Sequence, residues 1–103
     1  MQTTEYIQLT TKGPEAGILK LSGDLTVKHI QELKENILKA IGTFKQLEIL
    51  INHPETIDIA FFQLIEAAQQ RARKSKKKLT LTYKISDDVH ELCRKAGLTL
   101  ENQ

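Results

Sequence analysis

The residues best suited to chemistry lie in one short segment, where His53, Glu55, Thr56 and Asp58 bring an imidazole, two carboxylates and a hydroxyl close together in the chain. Imidazole and carboxylate groups bind metal ions or transfer protons. A working metal site, however, needs three or four converging ligands held by further hydrogen bonds. The remaining histidines have no companions at ligand spacing. We therefore expect no metal and no other cofactor.

Asp58 has a second role available, as the cap of a helix. Asn52 and Pro54 end an apolar run, and from Asp58 onward apolar residues recur at three- and four-residue steps. A carboxylate at this position accepts hydrogen bonds from the first turn. Because a helix N-terminus is also a natural anion site, binding of a nucleotide or a lipid headgroup is one functional hypothesis.

Other reactive groups are better explained by structure. Cys93 lies on the apolar face of a predicted helix, which favours a small core residue over a nucleophile. A basic run spans positions 71–78, but no aromatic side chains are interleaved with it, so we favour a solvated surface over a nucleic-acid site. No phosphate-binding loop, Ser-His-Asp or Cys-His arrangement is present. The sequence therefore predicts a protein that is not an enzyme.

Length and composition set the remaining bounds. The chain has 103 residues, 27% of them charged and 40% hydrophobic, with a net charge of +2 and one cysteine. This predicts one globular domain over residues 1–103. No apolar run approaches the roughly 20 residues of a membrane span, so we expect no membrane insertion. A single cysteine cannot form an internal disulfide, and we expect a cytoplasmic location.

Hydrophobic periodicity predicts four strands and three helices in the order β-β-α-β-α-β-α. The predicted strands are Thr4–Thr10, Gly17–Leu21, Leu47–Ile51 and Lys78–Tyr83. The first two should form a hairpin, with the second strand closed by 22–24. The later alternation implies parallel pairing with helical crossovers, so we predict an α/β fold with a mostly parallel mixed sheet.

The helices are predicted from their caps and apolar faces. Thr26 should cap the first helix, which Gly42 should end, and Asp58 should cap the second. Ser86 should cap the third, which Gly97 should end, with residues 98–100 as an edge strand. The first helix has one apolar stripe, Val27, Ile30, Leu33, Ile37 and Ile41, and the inner stripe of the third is Val89, Leu92, Cys93 and Ala96. In the second helix the apolar residues that recur at helical spacing are Phe61, Leu64, Ile65, Ala68 and Ala72.

Over nearly its whole length the chain resembles the STAS domain of anti-sigma-factor antagonists and related bacterial regulators. The resemblance rests on Gly23-Asp24-Leu25-Thr26, the central strand, Ile57-Asp58 and Ala96-Gly97-Leu98. At the second helix the family pattern is Asp, Ser or Thr, a small residue, Gly and Leu. The chain has Asp58, Ile59, Ala60, Phe61 and Phe62 at these positions, so it departs from the pattern at Ile59 and Phe61.

The resemblance implies a phosphorylation switch that this chain lacks at its usual place. In the family a partner kinase phosphorylates the hydroxyl at the position of Ile59, and isoleucine has none. Thr56 is the only nearby hydroxyl in the predicted loop. It serves either as a substitute acceptor or as a capping or turn residue, and we favour the second role.

The resemblance also implies a protein-interaction module working in bacterial signal transduction. Its partner would be an anti-sigma-type or sensor kinase. Alternatives are the nucleotide-binding subunit of a lipid-transporting ABC system, or a second copy of the chain. We expect Ile59 and Phe61 to face this partner, the alternative for Phe61 being the core. The expected partner-binding residues are Asp24, Thr26, His53, Glu55, Thr56, Asp58, Ile59 and Phe61.

Overall fold

The computed structural model of the chain describes residues 6–95, apart from the side chains of Leu92 and Cys93. Its strands are β1 (Ile7–Thr11), β2 (Ala16–Leu25), β3 (Gln46–Ile57) and β4 (Lys78–Lys84). Its helices are α1 (Ile30–Thr43), α2 (Ile59–Lys74) and α3 (Asp87–Lys95), and a 3-10 turn, Val27–His29, precedes α1. The predicted order of elements is confirmed.

The four strands form one mixed sheet in the order β1-β2-β3-β4. β1 and β2 make the predicted antiparallel hairpin, whereas β2, β3 and β4 are parallel. Both crossovers advance in the same direction across the sheet, and right-handed crossovers then place α1 and α2 on one face. The two helices also contact each other. Both helix starts therefore lie at the sheet edge where β2 and β3 end.

The core fills the space between this face of the sheet and the helices. Alternate residues of β2 and β3 are buried, as the period of a strand requires. The predicted inward residues Leu33, Ile37 and Ile41 of α1 are buried, and so are Ile65 and Ala68 of α2. Burial of these side chains supplies the main force that holds the helices on the sheet.

β2 and β3 are longer than predicted, because neither breaks at its turn-forming residues. Both continue past Gly23 and Pro54, which lie opposite each other in the ladder. From Leu21 to Leu25, β2 takes four steps, while β3 takes six from Ile51 to Ile57, so β3 bulges. Gly23 and His53 absorb the irregularity with positive φ angles of 76° and 46°. A proline is tolerated at such a bulge because a regular ladder hydrogen bond is already missing.

The predicted end of the first helix at Gly42 is wrong. α1 continues to Thr43, and the N–H of Phe44 donates to the carbonyl of Ala40 at 3.0 Å. The ring of Phe44 is buried and lies directly over Gly17, where a Cβ atom would be only 2.7 Å from it. Packing of this aromatic ring explains where the helix ends better than the backbone freedom of a glycine does.

The start of α3 is as predicted. The Ser86 hydroxyl accepts a hydrogen bond from the N–H of Val89 at 3.2 Å, and Val89 is buried. The inward placement of Leu92 and Cys93, the residues Ala96-Gly97-Leu98 and the strand expected at 98–100 lie outside the described part of the chain. No helix among residues 6–95 has the length and apolar character needed to span a bilayer.

Candidate binding surface

The candidate surface is built around Asp58, whose carboxylate joins the starts of two helices. Its Oδ1 accepts a hydrogen bond from the N–H of Phe61 at 3.1 Å, which caps α2 as predicted. Its Oδ2 accepts from the N–H of Val27 at 2.9 Å, at the start of the 3-10 turn before α1. One side chain therefore satisfies backbone donors of two helical segments and fixes their positions relative to each other.

A second polar group supports the turn before α1. The Thr26 hydroxyl donates to Oδ1 of Asp24 at 2.5 Å and accepts from the N–H of Lys28 at 3.4 Å, so Thr26 caps the 3-10 turn. The prediction that it caps the first helix is wrong, because α1 begins at Ile30 and His29 holds its N-cap position. Nε2 of His29 lies 3.7 Å from Oδ2 of Asp24. The ring of His29 lies 5.4 Å from the ring of Tyr6. These contacts hold the turn in one conformation.

Two large aliphatic side chains are exposed to solvent at this edge of the sheet. Val27 is 62% exposed and Ile59 is 61% exposed, and they are the only large hydrophobic residues with exposed side chains between positions 6 and 95, where the structure describes side chains. Ile59 directly follows Asp58 in the chain, and the N–H of Val27 donates to the Asp58 carboxylate. The two residues, called the apolar pair below, are thus both next to Asp58 through the backbone.

The predicted burial of Val27 is wrong. The residue belongs to a 3-10 turn ahead of α1, so it does not follow the periodicity of the helix that begins at Ile30. Its place directly after the capping Thr26 is the signal that could have revealed its exposure, because residues beside a cap lie at the open end of a helix.

The prediction that Phe61 faces a partner is also wrong. Its side chain is fully buried and is the largest of the fully buried side chains in the described part of the chain. Residues two positions apart lie on nearly opposite sides of an α-helix, so Phe61 and Ile59 cannot share a face. Phe61 shares its face with Ile65 and Ala68 instead. The alternative placement in the core is the correct one.

The remaining predicted site residues lie on the extended part of β3. Thr56 is half-buried and pairs with Asp24 in the parallel ladder, so it belongs to a strand and not to a loop. His53 and Glu55 are exposed on the bulged segment. No hydrogen bond or ion pair joins either of them to Asp58 or Thr26, all of which the structure describes. They border the surface without contributing to its polar network.

The Asp58 carboxylate limits which groups can bind at this edge. Among the described residues, no group of three His, Cys, Asp or Glu side chains is placed to hold a metal ion. Both oxygens of Asp58 accept backbone hydrogen bonds, and the negative charge of this carboxylate disfavours a free anion at the start of α2. The arrangement therefore favours an apolar contact over an anion at this edge.

Comparison with known proteins agrees with this fold. The family model described as "Mlab, STAS domain" matches residues 9–99. A search of curated proteins finds no match. Among solved structures, the Bacillus cell fate determinant SpoIIAA in its phosphorylated form is similar, with 17% sequence identity, a TM-score of 0.65, and coverage of 89% of this chain and 84% of that one.

Two further structures have the same architecture. The anti-sigma factor antagonist SpoIIAA in its unphosphorylated form has 17% identity and a TM-score of 0.68, covering 89% of this chain and 81% of its own. A Thermotoga maritima protein, provisionally assigned as an anti-sigma factor antagonist, has 11% identity and a TM-score of 0.67, covering 88% of this chain and 78% of its own. At these identities the likeness establishes the fold.

Proposed function

The chain belongs to the STAS domain family, and from this premise we propose that it is a non-enzymatic protein-interaction module of a bacterial regulatory system. The observation that carries the proposal is the apolar pair, Val27 and Ile59, which are both exposed and whose backbones both adjoin Asp58. Exposed apolar patches rimmed by polar residues mark interaction sites. The SpoIIAA structures share the fold, and one of them is described as an anti-sigma factor antagonist, which supports a regulatory role.

Burial of the apolar pair would contribute substantially to the affinity for a partner. Complete burial of a valine or isoleucine side chain contributes about 1.5–3 kcal/mol, a factor of ten or more in the dissociation constant. Because Asp58 and Thr26 already hold both helix starts, the pair is presented without rearrangement of the backbone. The polar rim formed by Asp24 and His29 would then add specificity more than affinity.

We further propose that phosphorylation at the start of α2 does not control this surface. One relative has been observed in phosphorylated and unphosphorylated forms. The position that carries the acceptor in the family is Ile59 here, and isoleucine has no hydroxyl. We expect incubation with a partner kinase and ATP to leave residues 52–62 unmodified, as judged by intact mass and peptide mapping. Stoichiometric phosphate on Thr56 would contradict this and restore a switch.

Replacement of the apolar pair tests the binding surface. Val27→Arg combined with Ile59→Arg should weaken partner binding at least thirtyfold, because two apolar contacts are lost and two charges would have to be desolvated. The unfolding free energy should change by less than about 1 kcal/mol, since both side chains are exposed. The partner is first recovered from native lysate with the unaltered protein, and its dissociation constant is then measured with purified components.

A matched control places the same charges at the other end of the same two helices. Thr43→Arg with Ser75→Arg alters exposed residues at the ends of α1 and α2, where cations are favourable, and should leave affinity unchanged. If the Val27 and Ile59 double variant binds as tightly as the control, the interface lies elsewhere. The identity of the recovered protein decides between a kinase, an ABC nucleotide-binding subunit and a second copy of the chain.

A further inference from the structure

A groove runs along the seam between α1 and α2, on the side of the helices and away from their starts. It encloses a cavity of about 290 Å³. Its floor is apolar and its rim is cationic. The floor residues, buried or half-buried, are Leu38 of α1 and Leu64 and Ala68 of α2. The exposed rim residues are Lys34 of α1 and Ala67, Gln70, Arg71 and Lys74 of α2.

The spacing of the lining residues shows that the groove runs along the helix axes. Lys34 and Leu38 are one turn apart on α1, and Leu64, Ala67, Arg71 and Lys74 recur at three- and four-residue steps on α2. Such residues share one face of their helix. The groove is therefore an elongated channel with its charges along it, and it is distinct from the apolar pair.

The charged side chains that line the groove are all cations. Lys34, Arg71 and Lys74 are exposed, and none of them forms an ion pair with another residue in the described range 6–95. No acidic side chain lines the groove. The net charge of the whole chain is only +2, so three unpaired cations here represent a local concentration of positive charge. An occupant must therefore be acidic as well as partly apolar.

We propose that this groove binds an acidic amphipathic helix of a protein partner. A cavity of about 290 Å³ is at the lower end for a drug-sized ligand, for which pockets of roughly 300–1,000 Å³ are usual. An amphipathic helix needs only an open apolar channel that accepts side chains from successive turns. Ala67 lets a helix backbone approach closely, while Leu38 and Leu64, both half-buried, receive its apolar side chains. Glutamates on its flanks would then meet the three cations.

Titration with a defined peptide tests this proposal. The probe is a synthetic helical peptide with leucine along one face and glutamate on its flanks, added to the full chain labelled with ¹⁵N. The largest amide shifts should fall on residues around Leu38 and Leu64, and added salt should weaken binding. Lys34→Glu with Arg71→Glu should weaken binding at least fivefold. A peptide with lysine in place of glutamate should not bind.

The control variant carries the same change of charge on the same helices outside the groove. Lys39→Glu with Arg73→Glu alters two exposed cations that do not line the cavity, and peptide affinity should remain within twofold. Equal losses in both variants would mean that net charge alone is responsible, and the proposal would fail. It would fail as well if phosphatidylglycerol vesicles bound the groove and the peptide did not, or if the same two substitutions abolished self-association of the chain. The apolar pair is unchanged in every variant, so this test and that of the proposed function are independent.

Discussion

Phe61→Ala is expected to lower the free energy of unfolding by about 3–5 kcal/mol, the usual cost of truncating a buried phenylalanine. Its side chain is fully buried at the start of α2, where it packs in the same core as Ile65 and Leu33. Truncation removes a large transfer free energy and leaves a cavity that the surrounding sheet and helices cannot fill without moving. For a chain of this length, such a loss is a large fraction of total stability.

Denaturant melts of Phe61→Ala and Ile59→Ala test this prediction by comparing a buried position with an exposed one. The two substitutions lie two positions apart on the same helix, yet Ile59→Ala should cost less than about 1 kcal/mol because its side chain is exposed. The slope of the transition should not change, which shows that both variants unfold from the same compact state. Similar losses at both positions would mean that α2 is rotated about its axis relative to the structure.

Asp58→Ala is expected to cost about 2–4 kcal/mol. The substitution removes two hydrogen bonds from backbone N–H groups to an ionised acceptor, at 3.1 Å from Phe61 and 2.9 Å from Val27. A hydrogen bond to a charged group is worth about 1.5–3 kcal/mol, and a single cap typically about 1 kcal/mol. Asp58 is partly exposed, so water can replace part of the two lost hydrogen bonds. The expected cost is therefore smaller than the sum of two hydrogen bonds to a charged group.

Two further variants separate the two bonds of Asp58. Asp58→Asn retains one acceptor oxygen and should lose about half as much, because an amide cannot accept from both helix starts. Ser86→Ala removes an ordinary cap with one hydrogen bond, at the start of α3, and should cost about 1 kcal/mol. In thermal melts the loss of stability should therefore be largest for Asp58→Ala, smaller for Asp58→Asn and smallest for Ser86→Ala. If Asp58→Ala costs no more than Ser86→Ala, the bond to Val27 contributes nothing.

The order of elements and the caps could be predicted from sequence because both depend on local chemistry. The change from a period of two to a period near four marks where strand gives way to helix. A carboxylate or hydroxyl before an apolar helix predicts a cap, and Thr26, Asp58 and Ser86 all act as caps. These features need no knowledge of distant contacts.

Features that depend on contacts between distant segments could not be predicted in the same way. The bond from Val27 to Asp58 joins residues far apart in sequence, and no local pattern indicates it. The continuation of β2 and β3 through a glycine and a proline depends on pairing across the sheet, which overrides their tendency to form turns. Phe61 was assigned to the wrong face because the family pattern has a small residue there, whereas helical geometry alone would have placed it inward.

The carboxylate shared by two helix starts has a thermodynamic consequence for association. The Asp58 carboxylate holds the backbone at Val27 and at the start of α2 before any partner arrives, so binding would order little main chain. Loss of backbone conformational entropy would then offset little of the favourable free energy of binding. The heat-capacity change of binding would reflect apolar area removed from water at the interface, with little added by ordering of the chain.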